Sequence, residues 1–447
     1  MNNNVNARLL ALKVLNNVFN EGAYANISLN KTLGKYELID ENRRFVTELV
    51  YGTIKAKGTI DWIIEKHVTR KLKKISPVIL NILRMGVYQI FFNDKIPNSA
   101  ACNESVKLTK KFGHQGTVKF VNGVLRNCTR NKDMWDYPSE EDDLVKNIAL
   151  SKFHPEWLVK RWLGVFGLEQ TKALCEYNNI PKKIIMRVNT LKTTREKLMQ
   201  ILEKEGFEVE ESQWSKDGII CKRVAFLKKF FEKYGDLVYI QDESSMLVGE
   251  VMNPCEGAKI IDVCSAPGGK STHLAQLMNN KGEIIACDIH EHKLKLIAEN
   301  AQRLGIKIIK TNLQDASVNV LEWNNSADFV LVDAPCSGTG VLGRRAEARW
   351  RKTEEDLKEF PKMQIKILNN ASKYLKVGGK LIYSTCSIED AENTEIIEAF
   401  LKTNKNYTIE KIKHPITGKM MNEFKILPQN DNIDGFYICK LIKVEES

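Results

Sequence analysis

Lys259-Ile260-Ile261-Asp262-Val263-Cys264-Ser265-Ala266-Pro267-Gly268-Gly269-Lys270 is the stretch on which the fold turns. An apolar run over 260–263 ends in a turn made of one proline and two glycines, and a helical pattern follows over 271–278. Strand, glycine turn and helix in that order suit a ligand held against backbone at a helix N-terminus. The turn contains neither a G-x-G-x-x-G dinucleotide fingerprint nor a complete phosphate loop. Gly268-Gly269-Lys270-Ser271 resembles only the tail of the latter, so nucleotide hydrolysis is weakly supported.

Outward from this loop, short apolar strands are predicted over 283–287, 306–310, 329–332 and 380–383, with helices over 292–304 and 357–374 between them. Such alternation predicts an α/β fold, a parallel sheet covered on both faces with ligands at the C-terminal strand ends. The second strand leads to Asp288, about 20 positions past the glycine turn, where a carboxylate accepts both ribose hydroxyls. The third leads to Asp315, placed to meet an adenine edge. Taken singly, each carboxylate suits a helix cap. At successive strand ends they describe an adenosine pocket without a pyrophosphate cradle, which favours S-adenosyl-L-methionine over a dinucleotide.

The fourth strand runs into Val332-Asp333-Ala334-Pro335-Cys336-Ser337-Gly338-Thr339-Gly340 and the fifth into Tyr383-Ser384-Thr385-Cys386-Ser387. Two cysteines thus reach one edge of the sheet. A thiol there has a chemical use: C5 of cytosine is too poor a nucleophile to take a methyl group from a sulfonium, and a thiolate added at C6 makes it enamine-like. A nearby helix N-terminus or lysine lowers a thiol from its usual ~8.5. The other cysteines read as small buried hydrophobes of a reducing compartment: none of the ten sits in a C-x-x-C pair or a zinc module.

The chain has 447 residues, 43% hydrophobic and 28% charged, so it is globular and multidomain. No apolar run approaches the ~20 residues that cross a bilayer. Met1-Asn2-Asn3-Asn4-Val5 lacks the start of a signal peptide. A soluble, cytoplasmic protein with no metal and no obligate protein partner is expected. Residues 1–135 hold 22 Lys and Arg against 10 Asp and Glu, while the remainder holds 45 against 46. The basic excess therefore belongs to the N-terminal third and points to a polyanion, although a solvated lysine-rich surface gives the same count. Helical spacing over 8–19 and after Pro77, punctuated by Gly22, Gly34, Pro97 and Gly113, predicts an all-α domain over 1–135. A helical linker and a small α+β domain are predicted over 136–240, with strands at 184–188, 207–210 and 218–224 and a helix at 195–205. The ligand-binding domain then occupies 241–447. Arg344, Arg345, Arg349, Trp350 and Arg351 lie just past Cys336, a mixture suited to phosphates and an unstacked base.

The two cysteine stretches and the Cys264–Lys270 loop resemble the RNA (cytosine-5)-methyltransferases of the NOL/NOP/Sun type. The resemblance implies a Rossmann-like domain using S-adenosyl-L-methionine, with Cys386 the nucleophile and Cys336 releasing the methylated product. Cofactor contacts carry over to Cys264, Ser265, Ala266, Pro267, Gly268, Gly269, Lys270, Asp288, Asp315 and Asp333. Asp333 is also implied to hydrogen-bond the cytosine. Asp434-Gly435-Phe436-Tyr437 is similar to the family's last strand, or is simple sheet packing. Asp40-Glu41-Asn42-Arg43-Arg44, Glu48-Leu49-Val50-Tyr51-Gly52, 97–104 and 120–126 resemble a NusB-like RNA-binding domain. Arg187-Val188-Asn189-Thr190-Leu191-Lys192 and Gln241-Asp242-Glu243-Ser244-Ser245 match the linker and the entry to the catalytic domain. A NusB-like domain fused to this catalytic domain implies 16S rRNA as partner and one loop cytidine, conventionally cytidine 967, as target. A methyltransferase for tRNA or another rRNA site, and an RNA-binding factor with an inert catalytic half, are the alternatives. The second requires a broken cofactor loop or a missing thiol, and neither is broken here.

Overall fold

Pro77, with φ preset for a first helical turn, opens the helix Pro77–Phe91, and every residue from Ile79 to Ile90 is buried. A helix apolar on nearly every face belongs at the centre of a bundle. The computed structural model describes residues 6–132, 136–222 and 227–445, with backbone alone at 227 and 228. Residues 1–5, Trp135, Arg223 and Val224, on which parts of the sequence reading fall, lie outside them.

Around the central helix stand Ala7–Asn20, Ala25–Leu33, Asp40–Lys55, Lys57–Glu65, Asn98–Phe112 and Gln115–Arg130, each presenting one apolar stripe. Leu15, Leu49, Ile60, Leu83, Val87 and Leu125 make a core without solvent access. Gly52 is required in this packing because a Cβ there would overlap the Tyr88 ring. The chain packs as two units, Met1–Ile180 with Leu342–Thr353, and Pro181–Val341 with Glu354–Ser447. The helices Glu140–Ser151 and Glu156–Asn179, read from sequence as part of the middle segment, pack in the first unit. No strand lies among that unit's described residues.

The second unit opens with a four-stranded antiparallel sheet in the order β2-β3-β1-β4: β1 (Ile184–Val188), β2 (Val209–Glu211), β3 (Gly218–Cys221) and β4 (Val238–Ile240). The helices Arg195–Lys204 and Leu227–Tyr234 accompany it, giving the expected α+β unit. The large sheet takes β5 (Lys259–Asp262), β6 (Glu283–Asp288), β7 (Ile309–Leu313), β8 (Ala327–Asp333) and β9 (Leu375–Thr385). After these come β10 (Tyr407–Ile409), the separate pair β11 (Ile412–Lys413) and β12 (Met420–Met421), then β13 (Glu423–Ile426) and β14 (Phe436–Lys443). The sheet order is β10-β14-β9-β8-β5-β6-β7, with β13 beside β14. From β9 to β7 every pairing is parallel, and β14 joins β9 antiparallel.

Consecutive residues Ile260/Ile261, Leu331/Val330 and Ile382/Leu381 divide between two separate apolar clusters, so both faces are covered. One cluster takes Leu274, Ala301 and Leu304 from helices, the other Ile367, Leu368 and Phe400. The third parallel strand lies three residues later than expected. Ile306 closes the preceding helix by bonding to the Ala301 carbonyl, and the strand itself exposes Lys310, Thr311 and Asn312, an edge with no apolar signature.

Candidate active site

β5 delivers the glycine turn. Asp262 at its end is fully buried, which pushes its acid up to about 6, and accepts from Ser271 Oγ at 2.6 Å. The Ser265 hydroxyl donates to the Asp262 carbonyl at 2.8 Å. These bonds brace the loop against the helix Gly269–Leu277. Gly268 has φ +96°, where a side chain is strained, and a Cβ there would lie 3.3 Å from the Ile297 backbone. A Cβ on Gly269 would lie 3.1 Å from the Tyr239 ring. Both glycines are therefore set by close packing, against Ile297 on one side and Tyr239 on the other. The Cys264 thiol within it is pushed well up by burial and by the nearby Asp262, Asp333 and Asp288 carboxylates.

The middle sheet holds this loop, a role that sequence reading missed. Arg187 on β1 is fully buried and donates to the Gly269 carbonyl at 2.5 Å, to Thr272 Oγ1 at 2.9 Å and to Gln241 Oε1. Its guanidinium lies 5.1 Å from the Tyr239 ring centroid, and burial lowers its pKa to about 9. Asn189 donates to the Leu304 carbonyl and accepts from Gln276, both at 2.9 Å. Both residues stand in the Arg187–Lys192 match, but nothing in that stretch signals which groups they brace.

Strand register brings the cysteines together. Asp333 on β8 pairs with Ser384 on β9, so the chain leaves both strands at one level. Three residues beyond the first and two beyond the second, Cys336 Sγ and Cys386 Sγ stand 3.2 Å apart. Asp333 accepts from Ser384 Oγ at 2.9 Å and from Lys270 Nζ at 2.7 Å, so the glycine turn and the cysteine edge meet at this carboxylate. Lys270 also lies 5.1 Å from the Phe436 ring centroid. Gly340 donates to the Cys386 carbonyl at 3.1 Å and accepts from Gly435 N at 2.8 Å, a closeness that a Cβ on either glycine would prevent. The Asp434-Gly435-Phe436-Tyr437 stretch thereby acquires a reason beyond sheet packing. The hydrogen bond to Cys386, then burial, push the Cys336 thiol well above the ordinary range, and the Glu392 and Asp333 charges add to this.

Asp288, mostly buried, ends β6 and caps its own turn at His290 N, 2.9 Å away, with Lys293 Nζ at 3.7 Å. Asp315 lies two residues past β7, exposed, and accepts from Ser317 N at 2.8 Å, which holds its carboxyl below the usual range. The structure corrects the reading of Arg349 and Trp350, in the segment after Cys336, as RNA-facing. Arg349 is 1% exposed and donates to the carbonyls of Phe153, Asn178 and Leu342 and to Asn179 Oδ1, at 2.8, 3.2, 3.4 and 3.0 Å. Trp350 Nε1 donates to the Ile54 carbonyl at 2.6 Å, with its ring against Gly58, and Arg351 donates to the carbonyls of Val18 and Ala23. Arg349 and Trp350 bond backbone inside the helical unit and do not point outward as a phosphate clamp, whereas Arg351 bonds backbone from an exposed position beside Tyr24. Arg345 stays exposed beside Tyr24.

Comparison with known proteins bears on the same regions. The profile of the 16S rRNA methyltransferase RsmB/F family matches residues 249–442, that of the NusB family 5–130, and that of the ferredoxin-like domain of RsmF/B-like methyltransferases 154–225. The probable ribosomal RNA small subunit methyltransferase B of Bacillus subtilis (strain 168) is 37% identical over 98% of each chain. The crystal structure of PH0851 superposes with a TM-score of 0.87 at 26% identity, over 98% of this chain and 99% of that one. NSun6 from Pyrococcus horikoshii, solved with SFG, gives 0.57 at 26% identity, over 65% of this chain and 99% of the other.

Proposed function

The chain belongs to the 16S rRNA methyltransferase RsmB/F family, and from that premise we propose that it methylates C5 of one 16S rRNA cytidine, conventionally cytidine 967, through a covalent Cys386 adduct. The observation that carries the reading is the pair of thiols 3.2 Å apart at the ends of two adjacent parallel strands, beside a lysine-paired aspartate.

S-Adenosyl-L-methionine supplies the methyl group when bound. Cys264 through Lys270, with Asp288, Asp315 and Asp333, would hold it, the glycine turn lying between the end of β5 and the N-terminus of the helix Gly269–Leu277. Cys386 Sγ, as thiolate, adds to C6 of the cytosine; the electron pair displaced from the C5–C6 double bond makes C5 nucleophilic. Asp333 hydrogen-bonds the ring. Once C5 carries the methyl group, its proton leaves to a base, the double bond re-forms, and the C6–S bond breaks to return the Cys386 thiolate. Cys336 serves this release. A thiolate on Cys386 would accept from the Cys336 thiol, 3.2 Å away. The basic N-terminal domain adds salt-dependent affinity for RNA, while a loop cytidine spares the few kcal/mol that unstacking a paired base costs.

The test incubates wild type, Cys386→Ala and Cys336→Ala with labelled S-adenosyl-L-methionine and unmodified 16S rRNA, followed by denaturing gels. The reading requires that Cys386→Ala yield neither transfer nor adduct and that Cys336→Ala accumulate protein–RNA adduct. Transfer by Cys386→Ala would overturn it. Label entering tRNA but not 16S rRNA would leave the chemistry and remove the substrate.

A further inference from the structure

Two loops leave neighbouring strands, and beyond the Asp333/Ser384 register pair the sheet ladder no longer spaces them. There Gly340 N bonds the Cys386 carbonyl at 3.1 Å, the Thr339 hydroxyl meets Ser387 Oγ and Ile388 N at 3.2 Å, the Ser337 and Ser387 hydroxyls stand 3.1 Å apart, and one buried carboxylate gathers both flanks. Glu392, with no solvent access, sits on the short turn Asp390–Glu392, which Tyr383 anchors by donating its hydroxyl to the Glu392 carbonyl at 2.7 Å. Glu392 Oε1 accepts from Ser387 Oγ at 2.7 Å and from Ser337 Oγ in a shorter bond. Glu392 Oε2 accepts from Ser337 N and from Gln364 Nε2, both at 2.9 Å. Ser337 and Ser387 are the residues immediately after Cys336 and Cys386. Gln364 also donates to the carbonyl of Pro335, immediately before Cys336, at 2.9 Å.

A carboxylate has about four acceptor sites, and here four donors fill them. Burying such a charge is a poor device for stability alone, since apolar packing of the same volume does as well or better. Its value lies in where the bonds land: three of the four come from Ser337 and Ser387, each next to a thiol-bearing residue, and the fourth from Gln364, which also holds Pro335. We propose that Glu392 is a positioning residue for methyl transfer, its carboxylate tying Ser337 to Ser387 and so setting the separation of the two thiols. The inference rests on the covalent two-cysteine reading above. The carboxylate also places its charge near the Cys336 thiol and helps to hold the proton there.

The full chain is prepared with Glu392→Gln, Glu392→Asp, Ser387→Ala and Cys386→Ser. Methyl transfer to 16S rRNA gives kcat and KM, and mass spectrometry gives the pH dependence of iodoacetamide alkylation at each cysteine, with exposed Cys255 as internal control. Glu392→Gln should lower kcat about 100-fold, the scale of an ångström-sized misplacement, at unchanged KM. It should also move Cys336 alkylation to lower pH while Cys255 stays put. Glu392→Asp, one methylene shorter with its charge kept, should hold the Cys336 profile near wild type and restore only part of kcat. Should Glu392→Gln fail to fold, Ser387→Ala, which removes one strut, carries the test through a fall in kcat. Wild-type kcat and Cys336 profile in folded Glu392→Gln, or wild-type kcat in Ser387→Ala, would overturn the assignment. Transfer by Cys386→Ser would instead overturn the covalent reading on which it stands.

Discussion

Replacing Arg349 by methionine removes a buried guanidinium and keeps most of its volume. Three backbone carbonyls and the Asn179 amide oxygen then lose their donor. Each orphaned acceptor costs about 1 kcal/mol at the low end, giving about 4 kcal/mol gross. Against this stands the relief of burying a cation, which burial has already pulled down to about 10. About 3 kcal/mol of net destabilisation remains, in line with breaking a buried charged network. For a unit of this size that lowers Tm by about 6–12 °C. Arg349→Lys keeps the charge without the planar fork, reaches fewer of the four acceptors, and should recover less than half. Scanning calorimetry measures the loss, and hydrogen exchange at Ile54, Asn178 and Asn179 assigns it to the helical unit. A surface RNA contact predicts the opposite pattern: unchanged melting, weaker RNA binding and a shallower salt dependence. Unchanged Tm in Arg349→Met would refute the packing role.

Two further outcomes follow from the glycine-turn helix. His273 is fully buried, and burial brings its ring from 6.5 to about 4. A depressed pKa means stability present above pH 6.5 and lost on acidification toward 4, which amounts to about 2 kcal/mol between pH 7 and pH 5. Urea unfolding at both pH values should show that drop in wild type and lack it in His273→Gln; equal slopes would remove His273 as the cause. Gly268→Ala forces a side chain into φ +96°, at about 1–2 kcal/mol. Calorimetric titration with S-adenosylhomocysteine should show affinity falling about 5- to 30-fold if the loop relaxes to relieve the strain, whereas unchanged affinity and Tm would show that the turn absorbs a Cβ.

Much of the architecture was legible in the chain because it rests on local rules. Apolar residues at helical spacing marked the N-terminal bundle, strand and helix alternation marked the parallel sheet, and Pro267, Gly268 and Gly269 marked the turn between β5 and its helix. The Asp333 and Cys386 motifs could be placed at one sheet edge because parallel strands end on the same side. What the chain could not disclose were the partners of its buried polar groups. Arg349 and Trp350 read as nucleic-acid contacts since a guanidinium bonds a phosphate or a backbone carbonyl equally well; only folding put the carbonyls of Phe153 and Asn178 in reach. Arg187 and Glu392 carry no periodicity, and their bonds span 82 and 55 residues, to Gly269 and Ser337. Sequence alone determined which elements form and which reactive groups reach the sheet edge, for these follow from spacing along the chain. Tertiary structure alone decided which charges are buried and what holds two thiols 3.2 Å apart, because hydrogen bonding depends on distances that sequence separation does not encode.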